Sequence, residues 1–145
     1  FGSSFNVTDR NATLKETARI LLPKGWFTCL WNHRDLDDPV QQEIEGIIKN
    51  HIADYSYGTR REDQKDIINQ SGLFDEVIKL EGRISHTITI QDCIEAWRSH
   101  ATLQRQAGEE FFKIIDEIEN FLKMQNSEIT VPYTTRIWAA QLKDK

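Results

Sequence analysis

Cysteine is scarce in this chain of 145 residues. There are two, Cys29 and Cys93, in apolar contexts and in no C-x-x-C spacing. That leaves no disulfide framework and little support for zinc, and it fits buried, reduced thiols. Basic residues are not in excess either: Lys plus Arg number 18 against 23 Asp plus Glu, a net charge of −5. A sequence-independent grip on nucleic acid needs a basic field, so no nucleic-acid partner is expected. Apolar runs extend only a few residues, far short of the ~20 that span a bilayer. No basic-then-apolar leader opens the chain, so the expected compartment is the cytoplasm. The sites Asn6-Val7-Thr8 and Asn11-Ala12-Thr13 are then chance matches to the glycosylation pattern. Glycines number seven, and none stands in a G-x-G pattern after an apolar strand. What is present is globular: 39% apolar and 28% charged side chains, enough chain for one domain with a core.

Periodicity divides the chain without a linker, which implies one compact unit. Residues 9–22 space Leu14, Ala18, Leu21 and Leu22 as one face of a helix, with Thr8 or Asp9 as its cap. Pro23-Lys24-Gly25 ends it. Residues 25–31 form a nearly continuous apolar, β-favouring run, read as a strand covered on both faces. A polar loop follows to Asp38, then a helix from Pro39 to about His51 that buries Val40, Ile44, Ile47 and Ile48. Residues 61–71 read as a short polar helix. Residues 74–90 read as an extended stretch with Phe74, Val77, Ile78, Leu80, Ile84, Ile88 and Ile90 as its apolar contacts. Thr89 with Asp92 resembles a capping box for a helix that turns Cys93, Ile94 and Trp97 inward. A helix over about 107–124 carries Phe111, Phe112, Ile115, Ile118, Phe121 and Leu122. Residues 131–142 alternate as a last strand, with Pro132 expected at its start.

The order is helix, strand, helices, strand, helical insertion, strand. It resembles the C-terminal half of a class I S-adenosylmethionine-dependent methyltransferase of the small-molecule, type 11-like sort. The stretches that carry the likeness are Leu14-x-Glu16-x-x-Arg19-Ile20-Leu21-x-Pro23-x-Gly25, then residues 27–31 followed by Asn32 and Arg34. Ser4-Phe5-Asn6-Val7-Thr8-Asp9, similar to the segment that leaves the family's fourth strand, Gly72-Leu73-Phe74, and Val131-Pro132-Tyr133-Thr134-Thr135 closed by Ala139-Ala140-Gln141-Leu142-Lys143 complete it. In the family's turn before this strand two glycines are usual, and Lys24 holds the first place here. The resemblance implies an α/β fold: strands five to seven of a Rossmann-like sheet, the last antiparallel, with a helical cover over about 89–126. It implies S-adenosylmethionine as cofactor and a small-molecule methyl acceptor as substrate. The family's Gly-rich nucleotide loop and its ribose-binding acid precede this portion. Residues 1–145 are therefore expected to be a single partial domain, a fragment inactive without its N-terminal half. It is expected to pair with that half, or with itself, through an open sheet edge. The alternative is a non-enzymatic remnant that binds a partner or dimerises.

Methyl transfer from a sulfonium asks the protein for alignment and exclusion of water, and for a base where the acceptor holds its proton tightly. In open α/β sheets ligands gather at the carboxyl ends of strands, which selects Trp31, Asn32, His33 and Arg34. Trp31 is expected as an apolar wall, Asn32 as an orienting amide, His33 as the base and Arg34 as partner of an acidic substrate group. The ordinary reading makes Trp31 core and residues 32–38 a solvated loop. His33 with Asp35, Asp37 and Asp38 is better read as acid before a helix start than as a metal site, so no metal is expected. By the resemblance, Ser4, Phe5 and Asn6 border the methionine end of the cofactor. His86, Trp97, Ser99 and His100 are expected to reach the acceptor from the cover, against the plainer readings of Trp97 as a core face and His86 as a strand residue among apolar neighbours.

Overall fold

The computed structural model describes residues 1–144. Helix α1, Arg10–Ile20, starts where the Asp9 carboxylate accepts the Ala12 amide at 2.9 Å. It stops two residues earlier than its periodicity suggests. A proline at 23 pushes the residue before it out of helical backbone, and Leu21 is already extended, so Leu22 points to solvent at 79% exposure. In the turn that follows, the Gly25 amide donates to Leu22 O at 2.9 Å and Lys24 takes φ +63°. A β-carbon on Gly25 would stand 2.9 Å from that same carbonyl oxygen.

Strand β1, Trp26–Arg34, runs three residues further than expected, and residues 32–34 continue the strand rather than open a loop. Its burial alternates: Phe27, Cys29, Trp31 and His33 are buried, while Trp26 and Asn32 are exposed. One face is packed, not both, which corrects the reading of a doubly covered strand. The continuous apolar run misled because Trp26 and Leu30 fall on the less covered face. Helix α2, Pro39–His51, is capped by Asp38, which accepts the Gln41 amide at 3.1 Å. After a 3-10 turn at Gly58–Arg61 comes the short helix α3, Lys65–Gln70, and then Gly72 at φ +70°.

Strand β2, Ile78–Thr89, is exposed along nearly its whole length. Ile78, Leu80 and Ile84, expected as apolar contacts, lie in solvent, while Phe74 and Val77 are buried and Ile88 and Ile90 pack partly against the core. Thr89 caps helix α4, Ile90–Arg98, by accepting the Asp92 amide at 3.1 Å. Helix α5, Ala101–Ala107, leads through a 3-10 turn to α6, Phe111–Lys123. Phe112 stands 74% exposed, outside the stripe that Phe111, Ile115, Ile118 and Leu122 bury. The expected pair of adjacent phenylalanines cannot both face inward at 100° per residue.

The last strand, β3, Glu128–Gln141, lies in the middle: the sheet order is β1-β3-β2. Leu142 N donates to Gly25 O at 2.8 Å and Asp35 N to Pro132 O at 2.9 Å, an antiparallel pairing with β1. Asp75 N donates to Gln141 O, and the Thr87 and Thr130 hydroxyls meet at 2.9 Å, so β2 pairs antiparallel too. Pro132 sits inside β3, not at its start. In an antiparallel ladder a residue's N and O face the same neighbour, so its missing amide falls opposite Asp35, just past the end of β1. On the side of β1 away from β3, residues 1–3 run parallel to it. Leu30 N donates to Phe1 O at 3.0 Å, Ser3 N to Leu30 O at 2.9 Å. Residues 26–30 thus belong to an outer strand of the three, with three further residues along its free side.

Two compact units can be distinguished. The first holds Phe1–His33, Gly58–Arg83 and the chain from Thr134 onward; the second holds Arg34–Tyr57 and Ile84–Tyr133. Three of the four crossings between them fall inside strands, which is why composition shows no linker. In the first unit α1 and α3 pack Leu14 and Ile68 with Phe5, Phe27, Trp31 and Trp138. In the second, α6 packs against α2 and α4 through Ile44, Ile48, Trp97, Ile114 and Ile118. Each fully buried aliphatic side chain of this kind contributes roughly 1.5–3 kcal/mol.

The turn at residue 24 generates a prediction. A lysine in left-handed backbone is strained, whereas glycine is not. Lys24→Gly should raise the unfolding free energy by roughly 0.5–1 kcal/mol, and Gly25→Ala should lower it, in urea denaturation. A destabilised Lys24→Gly variant would contradict this account of the turn.

Candidate functional site

The residues selected at the end of β1 divide between the two units. In the first, Trp31 is fully buried, its indole Nε1 donates to Asn6 Oδ1 at 3.0 Å, and its ring meets Trp138 edge-on at 5.7 Å. That bond joins a residue expected against the acceptor to one expected against the cofactor. Asn32 is exposed, and its Oδ1 accepts the Thr135 hydroxyl at 2.7 Å, which fixes the orientation of the amide. His33 is only 3% exposed, and neither ring nitrogen has a hydrogen-bond partner among the described residues. Burial, with the positive charges of Arg61, Arg60 and Arg136, lowers its pKa to about 4. At neutral pH it is an uncharged imidazole, with one nitrogen able to donate and one to accept.

The guanidiniums come from two elements. Arg60 and Arg61 end the 3-10 turn, each with a buried Nε, and Arg136 projects from β3 with its Nε 3.0 Å from a Glu81 carboxylate oxygen. Sequence reading passed over Arg60 and Arg61; the available signal was two adjacent cations in a loop otherwise marked by tyrosine and glycine. Asp63 was also missed. It gathers Lys79 Nζ at 2.8 Å, Trp138 Nε1 at 2.8 Å and the Lys65 amide at 2.9 Å. Against the upward push of burial, these donors hold its pKa down at about 2.

In the second unit the Arg34 guanidinium lies 4.5 Å from the centroid of the Trp97 ring. Trp97 is buried, and its ring stacks with His100 at 5.0 Å. The structure therefore brings together Arg34, Trp97 and His100. It does not bring His86, exposed on β2, or Ser99, exposed with its hydroxyl donating to Ala96 O at 3.2 Å. His51 was missed as well: its two ring nitrogens meet Glu110 and Glu117 at 3.1 and 3.0 Å, a tie between α2 and α6. Tyr57 donates its hydroxyl to the buried Glu45 carboxylate. Burial pushes the Cys29 thiol up to about 12 and raises that of Cys93, so both are inert.

For S-adenosylmethionine, which the resemblance implies, the fit is partial. Phe5 is fully buried, its ring 5.1 Å from that of Phe27 and 5.8 Å from that of Phe1, so it packs and offers no contact. Ser4 and Asn6 are half-buried; Ser4 makes no capping bond, and Asn6 keeps its amide nitrogen as a donor. Among the described residues no group of three or more His, Cys, Asp or Glu is placed to hold a metal. Nor is any helix there long and apolar enough to cross a membrane. Two hollows mark the first unit, about 110 Å³ beside Leu21, Pro23 and Leu142, and about 360 Å³ beside Phe1, Ala12 and Ile20. Neither is lined by a residue selected from the sequence.

No protein-family model matches the chain, and no curated protein matches its sequence. Solved structures do. One is a protein of Anaeromyxobacter dehalogenans provisionally assigned as a type II methyltransferase, at TM-score 0.50 and 12% identity, covering 98% of this chain and 62% of the other. Another, from Bacillus halodurans C-125 and provisionally assigned as a methyltransferase, aligns at TM-score 0.45 and 13% identity over 97% of this chain and 66% of the other. The chain thus spans just under two thirds of the length of each. The first likeness establishes the fold at a coarse level: an α/β architecture shared with a methyltransferase-type structure.

The buried imidazole sets a pH dependence. Its folded pKa, about 4, lies below the unfolded value near 6.5. Between those values the unfolded chain binds the extra proton, so the stabilisation is complete above about pH 6.5 and is lost as pH falls toward 4. The loss should reach roughly 3 kcal/mol, and His33→Gln should remove that part of the slope. Urea unfolding across this range checks it; identical profiles for the two proteins would contradict it.

Proposed function

We propose that this chain is the C-terminal portion of an S-adenosylmethionine-dependent methyltransferase acting on a small molecule, completed by an N-terminal half that carries the nucleotide loop. The observation that carries the reading is topological. A final antiparallel strand lies between two earlier strands in the order β1-β3-β2, and residues 1–3 run parallel along the free side of β1. This order supports reading the three as strands five to seven, with residues 1–3 as the end of a fourth. It agrees with the coarse likeness to a methyltransferase-type fold. The two buried free thiols suit a reducing, cytoplasmic setting.

S-adenosylmethionine, when bound, supplies a methyl group already activated by its sulfonium. The chain's own residues then align and shield. Asn6 offers an amide nitrogen toward the cofactor side while its oxygen anchors Trp31. Asn32, held by Thr135, presents an amide of fixed orientation to the acceptor. His33 is neutral at physiological pH, the form a base requires. Its weak basicity suits an acceptor atom that ionises readily rather than a high-pKa alcohol or amine. A second reading, a partner-binding module without activity, draws on the exposed edge strand β2 with Ile78, Leu80 and Ile84 in solvent.

The test compares this chain with the same chain joined to the polypeptide that precedes Phe1 in its gene. S-adenosylmethionine should bind the joined protein by calorimetry and scarcely bind this chain alone. Methyl transfer to small acids should appear with the joined protein only. A folded joined protein that neither binds the cofactor nor transfers the methyl group overturns the enzyme reading. Self-association through β2 would then favour the binding module.

A further inference from the structure

The strand order ends at β2, and one long edge of that strand has no strand beside it among the described residues. Natural sheets shorten, bend or charge such an edge so that it repels a second chain. β2 is long and holds no proline, and Ile78, Leu80 and Ile84 stand about half exposed on it. Its charges do not repel a second copy, because Lys79, Glu81 and Arg83 alternate in sign. The ladder to β3 decides which groups lie on the free side. Ile90 N donates to Ser127 O at 3.1 Å, so even-numbered residues hold the bonds to β3. Thr87 meets Thr130 and Glu81 meets Arg136, the same distance along both strands, so that register holds as far as Glu81. The amides and carbonyls of Glu81, Arg83, Ser85 and Thr87 therefore point away from β3. Side chains alternate too. Lys79, Glu81, Arg83 and Ser85 share one face, and Ile78, Leu80, Gly82 and Ile84 share the other.

We propose that two copies of this chain join through β2, antiparallel about a two-fold axis at Gly82, into one continuous sheet. In that register Glu81 faces the partner's Arg83, Leu80 faces the partner's Ile84, and the symmetry repeats both pairs. Among the described residues Arg83 has no ion pair of its own, and Arg136 engages only Oε2 of Glu81, which leaves Oε1 for the partner's Arg83. Other registers fit less well. A slip of one residue sets apolar side chains against polar ones. An axis at Glu81 or at Arg83 sets like charges face to face. An axis at Leu80 pairs Lys79 with Glu81 but leaves Arg83 and Ile84 past the end of the partner's strand. The pairing goes beyond the methyltransferase reading and does not depend on it, since β2 lies at the opposite end of the strand order from the side of β1 that residues 1–3 line.

The test reads assembly, without cofactor or methyl transfer, so its failure and that of the enzyme reading are separate results. Sedimentation of this chain over a concentration series should show a monomer–dimer equilibrium. Arg83→Glu and Glu81→Arg each set like charges opposite one another, and each should raise the dissociation constant about tenfold. Mixed in equal amounts, the two variants should form a heterodimer, because their facing charges are again opposite. Gly82→Cys reads the register. A β-carbon at Gly82 meets nothing within 4 Å, and both native cysteines are buried. Facing residues of a non-hydrogen-bonded antiparallel pair lie about 4.5 Å apart at Cα, within reach of a disulfide. Mild oxidation should link Gly82→Cys chains to each other and Leu80→Cys chains to Ile84→Cys chains, but not Leu80→Cys chains to each other. Glu81→Arg also gives up the bond to Arg136; if it does not fold, Arg83→Glu and the cysteine variants carry the test. A native chain that stays monomeric up to its solubility limit overturns the pairing. So does a dimer that Arg83→Glu leaves equally tight, or Leu80→Cys chains that link as readily as Gly82→Cys chains.

Discussion

Hydrogen bonding to both sides of β3 is the constraint on which the rest of the structure depends. A central antiparallel strand must present donors and acceptors to two neighbours, and β3 does so to β1 and to β2. Its single proline is tolerable only because the missing amide faces a place where β1 has already ended. The same pairing sets which residues of β1 face the core: with the ladder to β3 in place, Phe27, Cys29, Trp31 and His33 are carried to one face. His33 is buried by register, not by its own chemistry.

That burial has an electrostatic consequence. Burial by strand register, with the positive charges of Arg61, Arg60 and Arg136, keeps the imidazole neutral, and neither ring nitrogen has a partner among the described residues. Elsewhere in the chain polar groups find each other: Trp31 with Asn6, Trp138 with Asp63, Tyr57 with Glu45, His51 with two glutamates. The Trp97 indole Nε1, like the His33 nitrogens, is buried without a hydrogen-bond partner among the described residues.

Local chemistry was legible in the sequence where one residue decides the outcome. Asp9, Asp38 and Thr89 cap helices because their side chains reach free amides three residues on, and the inward faces of α2 and α4 follow helical spacing. What spacing alone does not carry is how many faces of a strand are covered. Trp26, Ile78, Leu80 and Ile84 are apolar, yet they lie where the described residues give little cover. For the candidate site, Trp31, Asn32 and His33 were selected from the end of a strand, and Arg34 and Trp97 do meet, but as a cation over a ring. Arg60, Arg61, Arg136 and Asp63 owe their importance to tertiary approach across tens of residues, which no local pattern records. Phe5 shows the reverse case, a residue given a ligand by resemblance and found filling the core.

The most direct measurement of the central claim is the set of cross-strand proton contacts in a solution NMR structure of this chain. Short contacts are expected between Gly25 and Leu142, between Asp75 and Gln141, and between Thr87 and Thr130, with Leu30 close to Gly2. Backbone contacts running directly between β1 and β2, or a β3 that pairs on one side alone, would contradict it.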